Sequence, residues 1–206
     1  MATPIPIPRD RLLTVEEYLA FEDGTQERHE YVNGYVYAMV GVTRRHSRIA
    51  GNIYGRLWPT VRGGSCRVHA EGVKLQVGSI FYYPDVMVAC GPEPDDDRIE
   101  DAPCLLVEVT SPSTERIDRG EKLMVYRGIA GLGAYLVVDQ ARRRVDHHWR
   151  DADSWRHDVL LGAATIALPC PNLTLSLDEI YEGVAFPTAE QWRRLREEEA
   201  TYETVG

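Results

Sequence analysis

Several common functional signatures are missing from this sequence, and each absence narrows the field. The four cysteines, Cys66, Cys90, Cys104 and Cys170, never stand as a Cys-x-x-Cys pair. That spacing offers neither a zinc knuckle nor a dithiol redox motif, so reduced, buried thiols are expected, with a disulfide pair as the lesser alternative. No run approaches the roughly 18 consecutive apolar residues that span a bilayer. Met1 to Pro8 alternate Pro with Ile and lack the charged start and apolar stretch of a signal peptide. A soluble, cytoplasmic chain with no membrane partner is therefore expected. A Gly-rich phosphate loop is also missing, which disfavours a nucleotide-binding enzyme. Ser111-Pro-Ser-Thr114 has no Gly-x-Ser-x-Gly elbow around it and no paired base. It reads as a turn and helix cap rather than a nucleophile. Positive charge is in short supply as well: 23 Lys and Arg stand against 32 Asp and Glu, for a net charge of -9. Nucleic-acid binders draw most of their affinity from phosphate contacts, so this total weighs against such a partner unless a basic face is local.

What is present is ordinary globular composition, 44% hydrophobic and 27% charged over 206 residues, enough for one substantial core. Thr14-Val-Glu-Glu17 predicts a capping box opening a helix to about Phe21. Glu30 to Tyr37 reads as two strands about an Asn33-Gly34 turn. Ile49, Ile53 and Leu57 recur every four residues, predicting a helix from Arg44 that Trp58-Pro59 and Gly63-Gly64 end. Strands follow at Cys66 to Val77, Asp85 to Cys90 and Cys104 to Thr110, the last two apolar enough for a sheet covered on both faces. Asp118 to Ile129 reads as a helix, then Ala134 to Val138, Arg142 to Trp149 and Ser154 to Leu161 as strands, and Leu177 to Tyr181 as a short helix. The acidic stretch Glu93-Pro-Asp-Asp-Asp-Arg98 is a solvated loop. Three regions result: an N-terminal extension over 1–12, a single domain over 13–186, and a C-terminal helix over 187–206 carrying Trp192 and Leu195.

The chemistry concentrates in Tyr83-Pro-Asp85 and Leu105-Leu-Val-Glu108-Val-Thr. Each carboxylate sits in or beside an apolar strand, where an unpaired ion is costly. Two of them on adjacent central strands can share a hard cation, and magnesium favours one or two carboxylates plus water. Lys122, one to two turns into the following helix, can reach the same strand end and shares a face with Tyr126, although by itself it reads by default as a solvated helix lysine.

These residues belong to a longer pattern. Glu30-Tyr-Val-Asn-Gly, Arg45-His46 before a helix, Tyr83-Pro-Asp85, Val107-Glu-Val-Thr-Ser-Pro-Ser-Thr114, Asp118-Arg-Gly-Glu-Lys122 and Tyr135-Leu-Val-Val-Asp139 occur in this order. From about Leu13 to Val184 the sequence resembles the Uma-type family of restriction-endonuclease-like proteins, first defined as a domain of unknown function within the PD-(D/E)XK nuclease superfamily. The resemblance implies an α/β fold with a mixed central β-sheet flanked by α-helices. It matches Asp85 to the first acid, Glu108 to the second and Glu30 to an early acidic position that can join the metal site. The superfamily lysine two residues after the second acid is Thr110 here, and Lys122 matches a lysine carried on the next helix.

The implied activity is a metal-dependent DNA endonuclease. Asp85, Glu108 and Glu30 would hold magnesium, with manganese as the alternative, and Lys122 would complete the catalytic set. Apart from the resemblance, local charge alone suggests that Arg44, Arg45 and Arg48 contact the DNA backbone, and cutting two strands suits a homodimer with two sites and the C-terminal helix as its surface. The alternative is a catalytically silent nucleic-acid-binding or protein-interaction module on the same fold, favoured by Thr110 and the acidic charge. A hydrolase of another phosphoester is the third reading. His46 is expected at the surface or against a phosphate, without a catalytic role. His147 and His148, adjacent on an outer strand, face opposite ways and are expected to be structural.

Overall fold

The computed structural model describes residues 11–39, 41–111, 114–186, 188, 190, 191, 193 and 194. Thr14 closes the expected capping box with Glu17 and opens α1 (Val15–Asp23). The strands β1 (His29–Val32) and β2 (Tyr35–Ala38) form a hairpin in which Asn33 and Gly34 both take positive φ, the backbone of a type I′ turn. Next comes α2 (Arg44–Val61), capped by the Thr43 side chain and burying His46, Ile49, Ile53, Leu57 and Val61. It runs past Pro59 and stops just before Gly63-Gly64. Proline this close to the C-terminus forfeits one backbone bond, and burial of Val61 holds the last turn in place.

The expected strand from Cys66 to Val77 is two strands, β3 (Cys66–Ala70) and β4 (Lys74–Val77). Between them Glu71 and Gly72 adopt positive φ, and the turn sends the halves into different sheets. Then follow β5 (Ile80–Tyr82), β6 (Val86–Cys90), β7 (Ile99–Glu100) and β8 (Pro103–Thr110). The single helix expected from Asp118 is α3 (Glu115–Arg119) and α4 (Glu121–Arg127), broken at Gly120. There the chain passes so near Arg116 that a Cβ would meet its carbonyl oxygen at 2.8 Å. The chain continues through β9 (Ala134–Asp139), β10 (Arg144–Asp151), β11 (Ser154–Leu161), β12 (Thr165–Leu168), β13 (Leu173–Ser176) and α5 (Leu177–Ile180).

The central sheet has six strands in the order β11-β10-β9-β8-β6-β3, with β8 and β9 parallel and the other pairs antiparallel. A second sheet runs β2-β1-β5-β4-β7, and β12 pairs with β13. The fold is therefore mixed α/β, with sheets flanked by helices. Side chains alternate across the central strands. Val86, Val88, Leu105, Val107, Leu136 and Val138 pack with α2 on one face. Met87, Leu106, Tyr135 and Val137 pack with Tyr126 of α4 on the other. Glu108 is two residues from Leu106, so the pleat turns it toward α4.

Three expectations need correction or restriction. The cysteines are joined as Cys66–Cys90 and Cys104–Cys170 rather than reduced. Cys66 and Cys90 lie directly opposite each other on β3 and β6, a register that sequence spacing does not reveal. His147 and His148 lie on β10 inside the sheet, between β9 and β11, and both are buried. Residues 1–10 of the N-terminal extension, and most of the expected C-terminal helix with Trp192 and Leu195, lie outside the described residues. Gln191 is helical and capped by Thr188. No helix among the described residues is long and apolar enough to cross a membrane.

Candidate active site

Four elements deliver side chains to one cleft of about 470 Å³. Glu30 comes from β1, Asp85 from the residue before β6, Glu108 from the C-terminal part of β8 and Lys122 from the first turn of α4. The Lys122 ammonium lies 2.9 Å from Glu30 Oε1, 3.1 Å from Glu108 Oε1 and 3.6 Å from Asp118 Oδ1. The Tyr126 hydroxyl donates to the same Glu108 oxygen at 2.9 Å. Asp85 is gripped separately: its Oδ2 accepts the Val109 backbone N–H at 2.6 Å and lies 3.0 Å from His46 Nε2. Because Val109 follows Glu108, that bond fixes the two acids to adjacent points of neighbouring strands.

The lysine is no solvated helix residue. It is 6% exposed, and Glu108 is 4% exposed. Burial pushes the Glu108 carboxyl well above the usual carboxylate range. Lys122 opposes that shift, while Asp118, Asp85 and Glu30 reinforce it. Burial would lower the Lys122 ammonium, but Glu108, Glu30 and Asp118 together outweigh it and hold the group protonated. Burial also raises Asp118, against the pull of Lys122 and a hydrogen bond from Thr114. For His46, burial favours the neutral ring, and the hydrogen bond and charge of Asp85 overcome it, so the net shift is upward. Carboxylates thus outnumber cations, and the imbalance falls on Glu108.

The donor chemistry fits a hard divalent cation. Two carboxylates with water suffice for magnesium, and a cation's charge would offset the burial, and the lesser repulsion from neighbouring acids, that raise Glu108. Glu30, Glu108 and Asp118 are at present gathered about Lys122. Thr110, at the superfamily lysine position, is buried on the same face of β8 as Glu108 and bonds to the Val138 carbonyl. Tyr37, Met39, Val42 and Ile117 give the cleft an exposed apolar rim. Val42 and Thr43 also line an open depression beside Arg44 and Arg48, so basic groups adjoin the acidic cleft. Arg45 is engaged elsewhere, donating to the Ala185 carbonyl at 3.1 Å.

Residues 15–178 match the Uma2 family, described as "Putative restriction endonuclease". The chain belongs to the Uma2 family. Among its relatives is the uncharacterized protein slr1290 of Synechocystis, 35% identical over 185 residues that cover 88% of this chain and 96% of the relative. A second Synechocystis protein, sll1609, is 31% identical over 159 residues, covering 74% and 89% respectively. A crystal structure described as "a putative nuclease belonging to DUF820" from Anabaena variabilis superposes with a TM-score of 0.70 at 19% identity. It covers 84% of this chain and 99% of its own, and it shows that the restriction-endonuclease-like fold is shared.

On this Uma2 chain the structure brings Glu30, Glu108 and Lys122 into contact and sets Asp85 beside them. Two further residues stand at the site where the sequence reading gave them no place, and the surface position expected for His46 is corrected. His46 is buried against Asp85, although three basic residues surround it in sequence. The signal was present, since His46 lies three and seven residues before Ile49 and Ile53 and so shares their buried face. Asp118 is 2% exposed and stands four residues before Lys122, the spacing of a helical neighbour. Its neighbour Arg119 turns away to Asp146, which also binds Arg144.

Proposed function

We propose that this protein is a metal-dependent endonuclease that hydrolyses phosphodiester bonds in DNA. The observation that carries the reading is the convergence of Asp85, Glu108 and Glu30 with one buried lysine in a single cleft. Asp85 and Glu108 would hold magnesium or manganese, with Glu30 joining them. The ion would neutralise charge at the attacked phosphate and make bound water more acidic. The chain's own residues do the positioning. His46 and the Val109 N–H both engage Oδ2 of Asp85, which fixes the direction in which that carboxylate points. The Lys122 ammonium, held between Glu30 and Glu108, can steady the attacking water or a non-bridging phosphate oxygen. Family membership supports a nuclease, and Arg44 and Arg48 beside the cleft supply local positive charge on a chain that is acidic in total.

The test is nicking of supercoiled plasmid with magnesium or manganese by the wild type, Asp85→Ala and Glu108→Ala. Cleavage by the wild type alone is the expected result. Equal cleavage by all three would remove the carboxylates from the mechanism.

A second reading rests on a specific contact. Lys122 already neutralises part of the acidic cluster, as an internal counter-ion would in a silent nucleic-acid-binding or protein-interaction module. Metal then discriminates. A magnesium- or manganese-dependent rise in Tm that vanishes in Asp85→Asn supports the nuclease, and no rise in either supports the silent module.

A further inference from the structure

Far from the cleft, the fold gathers all four cysteines of the chain. Cys66 and Cys90 face each other across β3 and β6, Cys104 lies on β8 beside β6, and Cys170 comes from the turn between β12 and β13. The two bridges touch. Cys90 Sγ is 3.4 Å from Cys170 Sγ and 3.7 Å from Cys104 Sγ. Cys66, Cys90 and Cys170 are the only His, Cys, Asp or Glu trio among the described residues whose ligand atoms lie within 4.8 Å of one another. All four cysteines are half-buried at the edge of the α2-side core, open to a small reductant or ion. Cys90 is five residues along the extended chain from Asp85, about 17 Å at the usual strand rise.

Four sulfurs gathered about Cys90, which is bonded to Cys66 and lies within 3.7 Å of Cys104 and 3.4 Å of Cys170, match a particular coordination chemistry. Zinc binds thiolate at about 2.3 Å, and tetrahedral geometry then separates the sulfurs by about 3.8 Å. The distances between the two bridges already approach that value. Opening a bridge moves its bonded sulfurs apart to van der Waals contact, toward the same separation. Reduced, the cluster becomes a soft, four-thiol pocket whose ligands come from rigid strands and one turn. That donor set selects a thiophilic ion such as zinc over magnesium, the reverse of the carboxylate cleft.

We propose that the four cysteines form a redox-gated tetrathiolate site for zinc, separate from the carboxylate cleft. In the oxidised form the sulfurs are consumed in two disulfides and the ion is excluded. Two equivalents of a dithiol reductant transfer four electrons and four protons, break both S–S bonds and leave four thiols, while each dithiol is itself oxidised to a disulfide. Zinc then displaces the four thiol protons and forms four Zn–S bonds. Two equivalents of a small-molecule disulfide oxidant take those four electrons back, re-form both S–S bonds and release the ion, each oxidant taking up two protons to leave as two thiols.

The test compares oxidised protein with protein reduced by a phosphine and desalted without oxygen, each mixed with zinc and freed of excess. One zinc per chain in the reduced form and none in the oxidised form is expected, read by release to a chromogenic chelator. Zinc should also protect all four thiols from alkylation, a mass-spectrometric readout that needs no variant. Cobalt in place of zinc should give thiolate-to-metal charge-transfer absorption. Cys90→Ser and Cys170→Ser should lose the ion, while Asp85→Asn should keep it, so failure here is distinct from failure of the nuclease reading. Absence of zinc from the reduced wild type, unprotected thiols, or zinc lost in Asp85→Asn but kept in Cys90→Ser would each overturn the proposal.

Discussion

His46 Nε2 lies 3.0 Å from Asp85 Oδ2 and ties the first turn of α2 to the strand entry beside Glu108. The same oxygen accepts the Val109 N–H, so helix and strand fix one carboxylate from two directions. The His46 Nδ1 atom is buried without a hydrogen-bond partner among the described residues. Among the described residues, Asp85 is the one hydrogen-bond partner of this buried imidazole. The relation is therefore unequal: loss of Asp85 frees the ring, while loss of His46 leaves the carboxylate on the Val109 N–H alone.

Replacing His46 tests this as a positioning contact. Residues that orient a metal-binding carboxylate typically contribute about 10–100-fold to metal affinity or activity. His46→Ala should weaken manganese binding and plasmid cleavage within that range, and His46→Gln, which keeps a donor, should recover part of it. Equal metal affinity in wild type and His46→Ala, measured by calorimetry, would remove His46 from the site.

Lys122 offers a stability test. Its removal leaves Glu30, Glu108 and Asp118 facing one another with no compensating charge. Breaking a buried ion pair on one side costs about 3–5 kcal/mol. Lys122→Met should lower the urea midpoint accordingly at neutral pH. A midpoint equal to that of the wild type would mean that the ammonium contributes no net stability.

The acids of the cleft were legible because they interrupt apolar strands. Glu108 within Leu-Leu-Val-Glu-Val and Asp85 after Pro84 have no ordinary place on a buried sheet. Lys122 was legible only through the family pattern, because its spacing to Tyr126 suits a solvated helix lysine as well, and its full burial depends on β1 delivering Glu30 from a second sheet. The break at Gly120 was hidden because one glycine within a helical pattern is usually tolerated. The sulfur cluster was hidden for a stronger reason. Contact among residues 66, 90, 104 and 170 depends on strand register and on the path of the β12–β13 turn, neither of which spacing encodes. His46 was hidden by its neighbours, whose charge suggested a surface that the apolar period contradicted.

His147 and His148 predict a pH dependence of stability. Burial lowers both rings from 6.5 to about 4. Asp158 on β11 opposes the shift at His147 and His157 adds to it. His157 and Arg127 add to it at His148, and Asp146 opposes it. Folded-state values below the unfolded ones mean that the unfolded chain binds more protons on acidification. This contribution is fully present above pH 6.5 and is lost as pH falls toward 4. The urea midpoint should drop across that window, and His148→Phe, which keeps the stack on Tyr135, should flatten the slope. An unchanged slope in that variant would assign the acid loss to other groups.

Glu108→Gln separates function from stability at one atom. The amide has nearly the shape of the acid, and its oxygen can still accept from Tyr126 and Lys122. Lys122 keeps Glu30 and Asp118 as counter-charges. What disappears is a negative charge that burial and three neighbouring carboxylates disfavour. The variant should therefore match or exceed the wild type in stability, with a gain of about 0.5–2 kcal/mol, while losing plasmid cleavage. Set beside Lys122→Met, which removes the counter-ion instead, the pair should move in opposite directions in a denaturant titration. A loss of several kcal/mol in Glu108→Gln would show that the Glu108 charge stabilises the fold, and would turn the cluster from a strained binding site into a structural ion pair.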